Sequence, residues 1–365
     1  MTQATIESAR FTGARQPIWR SVGITPMYDH DDILAEAGMD FEYHTFPLTY
    51  ETPDGATHTS GFSAVSRAPY AGDQNWKEMG PVGPTYTYLQ NHELLAGIRV
   101  MQKETGWTLD SLGTLGRGDT VFFVLRAEGR SLFGDRLETF VILHDGKAKR
   151  QALSIAVTPV RFHCMNQLQG GGYDIIRIPH HRDIALEYSF WTRMLGKLQA
   201  QERQVYQQLE AMASVKIDDA QARTIIEKAY PLPRLSSRAT NLLRVSEVQG
   251  LSPAALAEVR KNLSQTQANS EEARELIASR RLAAFTLYQR FNDRAEQGPA
   301  SGGQRVSDET LATLSHTPYA AYNSIVELVD WGGQAGIQVA AGSALFGEGS
   351  QVKARAWKAS LAASK

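Results

Sequence analysis

A single cysteine, Cys164, among 365 residues excludes an intramolecular disulfide framework and any multi-cysteine zinc centre. Net charge is almost absent as well, since 38 lysines and arginines face 39 acidic residues. No global field therefore draws the whole molecule to a polyanion or an anionic membrane. The opening stretch MTQATIESARFTGARQ lacks the apolar core of a signal peptide, and no run approaches the ~18 consecutive apolar residues that a membrane helix needs. The expectation is a cytoplasmic protein without a membrane segment. There is no GxxxxGK[ST] loop and no GxSxG elbow, so neither a P-loop ATPase nor a serine hydrolase is indicated.

What the chain does contain is 42% apolar and 21% charged residues, the composition of a globular protein large enough to build its own core. In the first half, apolar and polar residues alternate in short runs broken by turn signals. Ile33 to Ala37 reads as a short helix behind Asp31 and Asp32, stopped by Gly38. Residues 41–50 and 58–67, separated by Pro53-Asp54-Gly55, read as a hairpin. The glycines and prolines of 69–85 predict an irregular loop, and Tyr86 to Leu89 a short strand. A helix opens at Asn91 and ends at Gly106, and strands follow over 107–115, 120–127, 139–143 and 152–162.

From about Ile184 the apolar period lengthens to three and four residues, predicting helices over 184–209, 220–229, 256–263, 273–291, 320–330 and 353–361. The fold class is therefore α+β: an antiparallel, sheet-rich amino-terminal domain over 1–178, a helical domain over 179–296, a linker over 297–307 and carboxy-terminal helices over 308–365. The tail from Leu345 to Leu361 has two expected fates, docking on its own helical domain or packing on a neighbouring subunit, so a homo-oligomer is one expected partner state.

Several segments carry a resemblance. They are Tyr88-Leu89-Gln90-Asn91, Leu112-Gly113-Thr114-Leu115 leading to Val121-Phe122-Phe123-Val124-Leu125, His144-Asp145-Gly146 through Thr158-Pro159-Val160-Arg161 with Cys164 and Asn166, Ala321-Tyr322-Asn323, and Leu345-Phe346-Gly347. In this order they resemble the phage- and plasmid-like family classed as domain of unknown function nine-three-two. Gln167 departs from that pattern, standing where the family usually has threonine. The resemblance implies a mobile-element setting and no particular activity.

Lys147, Lys149 and Arg150 lie in the turn between two predicted strands, with Arg161 further along, and a projecting basic hairpin tip suits phosphate contact. Tyr86 and Tyr88, with other aromatics of the same half such as Tyr50 and Trp76, are of the type that stacks on unpaired bases. Together they suggest a nucleic-acid-associated protein that binds single-stranded DNA in replication or recombination, by analogy with single-strand annealing proteins. The plainer reading of the same residues is solubility, edge protection and ordinary sheet faces.

A cysteine-dependent or metal-dependent hydrolase is the competing enzyme reading; for the first, His163, adjacent to Cys164 on an extended segment, points the other way, so a more distant base is required. Metal-capable residues occur in Asp29-His30-Asp31-Asp32 and in His180-His181-Arg182-Asp183, without ligand spacing in either. No metal or other cofactor is expected. Gly113 to Gly118 reads as a hairpin turn because a strand, not a helix, follows it. A third class, an inhibitor of a host protein, predicts an exposed apolar patch in place of a basic groove.

Overall fold

The computed structural model describes residues 6–11, 32–71, 73–115, 118–147, 152–161, 176–180, 187–232, 253–294, 307–331 and 348–365. Two antiparallel sheets occupy the amino-terminal half. The larger has the order β1 (Ile6–Phe11), β5 (Thr108–Leu115), β6 (Thr120–Leu132), β7 (Asp135–Gly146), β8 (Leu153–Arg161) and β9 (Ile176–Ile178). The smaller has the order β2 (Tyr43–Glu51), β3 (Thr57–Arg67) and β4 (Lys77–Val82). The chain is thus an α+β protein, antiparallel first and helical afterwards.

Strands β6 and β7 read VFFVL and TFVIL because both faces are buried: Val121, Phe123, Leu125, Val141 and Leu143 line the sheet core, while Phe122, Val124, Phe140 and Ile142 are buried on the opposite face. A sheet covered on both sides selects continuous apolar runs over alternation. These two strands meet in the turn Phe133-Gly134, where both residues have positive φ, 48° and 87°. That is the two-residue hairpin geometry that matches strand twist. Glycine is required at 134 for a second reason, since a Cβ there would lie 2.1 Å from Thr310 Oγ1.

This hairpin end enters the helical half. Leu132 and Leu137 belong to the helical core, and Tyr319 donates its hydroxyl to Asp135 Oδ2 at 2.7 Å. Helix α1 (Ile33–Glu36) is a single turn, and α2 (Asn91–Thr105) packs on the sheet and closes at Gly106 with φ of 73°. The long α3 (Tyr188–Ala213) serves both cores: Trp191, Met194 and Leu198 pack in the sheet core, and Val205, Tyr206, Leu209 and Met212 in the helical one. Close approach of α2 to α3 depends on Gly97, where an added Cβ would meet the Trp191 ring at 2.0 Å.

Helices α4 (Asp219–Ala229), α5 (Pro253–Arg294), α6 (Asp308–Leu314), α7 (Pro318–Trp331) and α8 (Glu348–Ala363) complete the helical half. The last docks on its own chain: Trp357 sits edge-on to Tyr322 with centroids 5.2 Å apart and donates from Nε1 to Gln208 at 3.1 Å. Beside it Lys353 and Asp330, both fully buried, pair at 2.6 Å. Of the two expected fates for the tail, docking on its own helical half is the one seen.

Some expectations are corrected. The loop expected over 69–85 contains β4, an edge strand that tolerates Pro81 because its outer side has no ladder to complete. Tyr86 to Leu89 forms no strand. Residues 253–294 form one helix in place of two, and β1 and α6 were not anticipated from the pattern. The linker expected over 297–307 lies outside the described residues except for Ser307, which caps α6 by accepting from Thr310 N at 3.2 Å.

Candidate functional site

Residues on a strand alternate between faces, so Asp145 and Lys147 continue the inward series of Val141 and Leu143. They do so in the structure: both side chains are fully buried, and the Lys147 ammonium donates to Asp145 Oδ2 and to the carbonyl of Leu89. The ammonium also lies 4.7 Å from the centre of the Tyr43 ring. His180, just beyond β9, closes the group, its Nε2 approaching Asp145 Oδ1 to 2.8 Å and its Nδ1 lying 3.0 Å from Thr87 O. Tyr86 covers the imidazole with ring centroids 5.0 Å apart.

The segment 86–90 therefore places the carbonyls of Thr87 and Leu89 on this centre instead of on a ladder, and no strand forms there. Gln90 extends the same docking. Its side-chain amide accepts from Tyr43 N at 3.0 Å and donates to Tyr43 O at 2.9 Å, standing in for a strand at the edge of β2.

Electrostatics follow from burial. Loss of water raises the Asp145 carboxyl, but the adjacent Lys147 ammonium and the His180 ring outweigh it and hold the group below the usual carboxylate range. Burial, and then the Asp145 charge, pushes the phenols of Tyr43 and Tyr86 well up, so both stay neutral donors. Tyr43 uses its hydroxyl on Gly118 O at 2.8 Å. A second cation is enclosed nearby: Arg67 stacks over Tyr70 and Phe41, at 4.7 and 5.5 Å from their centres, and pairs with Asp73 at 2.6 Å.

This corrects the expected role of Lys147, because an ammonium that is sealed and neutralised by a carboxylate is not free to meet a phosphate. Tyr86 is equally committed, to His180, and Tyr88 is half-buried against the sheet core. Arg161 ends β8, while Lys149, Arg150, His163 and Cys164 lie outside the described residues. So do His181, Asp183 and Asp29 to Asp31, and Asp32 stands at the start of α1 without a side-chain hydrogen bond to it. Among the described residues no three His, Cys, Asp or Glu side chains are grouped to hold a metal ion.

The opposite face of the smaller sheet differs in every respect. His44 and Phe46, one step out of phase with Tyr43, point outward and meet Trp76, with ring centroids 5.5 Å (His44 to Trp76) and 5.3 Å (Phe46 to Trp76) apart. Further along, Tyr50 stacks on His58 at 5.5 Å. Phe46, Tyr50, Phe62 and Trp76 are 46, 55, 56 and 53% exposed, a concentration of large apolar surface unusual for one small sheet. Tyr50 and Trp76 were legible as candidate stacking residues. Phe46 and Phe62 were not, although their neighbours, Thr45, Pro47, Gly61 and Ser63, are too small or polar to mark a buried run.

Fold and site thus define an α+β protein with a sealed ionic centre in its sheet half and an open aromatic face beside it. Residues 78–360 match the family described as Domain of unknown function (DUF932), and the chain belongs to that family. No curated protein and no solved structure matches the chain. The ionic centre lies inside the matched segment, whereas β2, β3 and Trp76 precede it.

Proposed function

We propose that this chain is a binding protein that engages a protein partner through the outer face of β2, β3 and β4, in the setting of a phage, plasmid or integrated element. The observation that supports it is the exposed row Phe46, Tyr50, Phe62 and Trp76. Full burial of such a ring is worth roughly 1.5–3 kcal/mol, and with each about half in water a partner that covers them recovers about half of that per ring. Aromatic residues are also the side chains that most often anchor protein interfaces.

Charge favours a protein over a nucleic acid as occupant. Residues 41–85 carry five carboxylates, Glu42, Glu51, Asp54, Asp73 and Glu78, against two basic side chains, Arg67 and Lys77. Arg67 is buried on Asp73, and Lys77 pairs with Asp119 at 3.0 Å. A phosphate chain laid across this face meets repulsion. The single-stranded DNA reading retains one supporting observation, that the same rings are of the kind on which bases stack.

Two binding measurements on the full chain separate these readings. A labelled oligothymidylate is titrated at low and moderate salt, and a set of unstructured peptides differing in charge and aromatic content is titrated in parallel. Each is repeated with the Phe46→Ser/Trp76→Ser variant. Peptide binding that the variant loses supports the proposal. Oligonucleotide binding that weakens steeply with salt, with no peptide bound, replaces it by the nucleic-acid reading.

A further inference from the structure

We infer that the corner between Phe46, Trp76 and His44 is a recognition site for a cationic side chain, the guanidinium of an arginine in an extended peptide. The inference rests on the proposed binding role of this face and names what the face selects. It does not draw on family membership, since Phe46, Trp76 and His44 all precede the matched segment.

The geometry begins with register. His44 pairs across to Ser66, and Ser66 to Glu78; one step along, Phe46 pairs to Ala64 and Ala64 to Pro81. Each row thus places a small side chain at its centre, on the middle strand, and Ala64 and Ser66 are both buried where Trp76 reaches across to His44 and Phe46. The planes of Phe46 and Trp76 meet at 80° and those of His44 and Trp76 at 65°, so the rings meet edge to face and do not form a flat stack. The face of such a ring is negative, and Trp76, 53% exposed, offers one on which a weakly hydrated cation is held.

Charge sits where such a cation needs it. Glu42 is two residues before His44 on the same outward face, exposed, with its carboxylate 3.3 Å from His44 Nε2. Glu78 ends the His44 row on the far side and is also exposed. A planar guanidinium lying against a ring keeps its N–H edge free to donate to a flanking carboxylate, a combination that a compact, strongly hydrated ammonium does not reproduce. A sheet face without a free cation of its own among its described residues, bearing rings and two carboxylates, is complementary to arginine and to little else among the side chains.

The test uses the full chain and the blocked heptapeptide Ser-Gly-Arg-Gly-Arg-Gly-Ser, titrated by calorimetry and by ¹H–¹⁵N spectra in which the Trp76 indole signal is identified from its loss in Trp76→Phe. The expected result is saturable binding that shifts the Trp76 indole. Affinity should fall by about tenfold when both arginines are replaced by citrulline, which keeps shape and hydrogen bonds but removes the charge. Glu42→Gln/Glu78→Gln, which leaves the rings and the fold in place, should give a loss of similar size. Equal affinity for the arginine and citrulline peptides overturns the inference while leaving the aromatic face as a binding surface. Loss of all peptide binding, charged and neutral, in wild type overturns both readings.

Discussion

Tyr43 and His44 are neighbours in one strand, yet they face two different chemistries. Tyr43 looks inward to a sealed lysine, 4.7 Å from its ring, and His44 looks outward to an open tryptophan, 5.5 Å away. On the inner side are the charges, Lys147, Asp145 and Arg67, which composition alone places in water; on the outer side are Phe46 and Trp76, which it places in the core. An enclosed ion costs several kcal/mol in lost hydration and persists only where its partners are fixed, so the inner face serves to define one arrangement of the strand end, the 86–90 segment and His180. Rings in water define nothing within the chain. On the proposed reading they stabilise a complex instead.

The largest expected effect tests the inner side. Lys147→Met removes the ammonium and leaves the Asp145 carboxylate buried without its strongest partner, which should destabilise the fold by about 3–5 kcal/mol. The measurement is the urea midpoint, read with an unchanged slope. Adding Asp145→Leu to the same chain should recover much of that loss, because an apolar pair of similar volume has no charge left to compensate. A single variant costing under about 1 kcal/mol would show that the inner charges define nothing, and the contrast with the outer face would disappear.

Acid should separate two groups on β7 that point to opposite faces. Burial, slightly opposed by Asp145 and assisted by Arg177, lowers His144 to about 4, so the folded chain keeps this ring neutral where the unfolded chain protonates it near 6.5. Its contribution is complete above the unfolded value and is lost as pH falls from about 6.5 to about 4, roughly 3 kcal/mol in all. Asp145, also depressed, contributes above the ordinary carboxylate range and loses its share only as pH falls through its lower folded value. Urea midpoints from pH 7.5 down to pH 3 should therefore decline in two stages. His144→Phe should flatten the upper stage alone, and Asp145→Asn the lower alone.

How far the sequence carried depends on which side of a strand a residue fell. The hairpin of β2 and β3, the apolar runs of β6 and β7, and the α2 helix ending at Gly106 were legible because each has a period or a punctuation mark that physics ties to one geometry. Lys147 misled because a basic residue in a turn suggests solvent. The signal against it was present: Val141, Leu143, Asp145 and Lys147 are consecutive members of one face, and a charge two residues after an opposite charge on that face already has its partner. Nothing local announced His180 as the third member, since it lies 33 positions after Lys147 and the β8–β9 pairing returns it. Phe46 and Trp76 were obscured for the converse reason, as an exposed ring and a buried ring read alike until β3 proves to set Ala64 opposite Phe46 and Ser66 opposite His44.

The smallest expected effect belongs to the outer side and follows from the same reasoning. Phe46→Ser/Trp76→Ser removes two large rings, a change that in either core would cost about 3–5 kcal/mol for each ring. Here both rings are about half in water and touch chiefly each other and His44, so the shift in urea midpoint should correspond to under about 1 kcal/mol. The variant should unfold with wild-type cooperativity while the peptide titration is abolished. A loss as large as that of Lys147→Met would mean that the rings hold the small sheet together. In that case the face closes on itself and presents nothing to a partner.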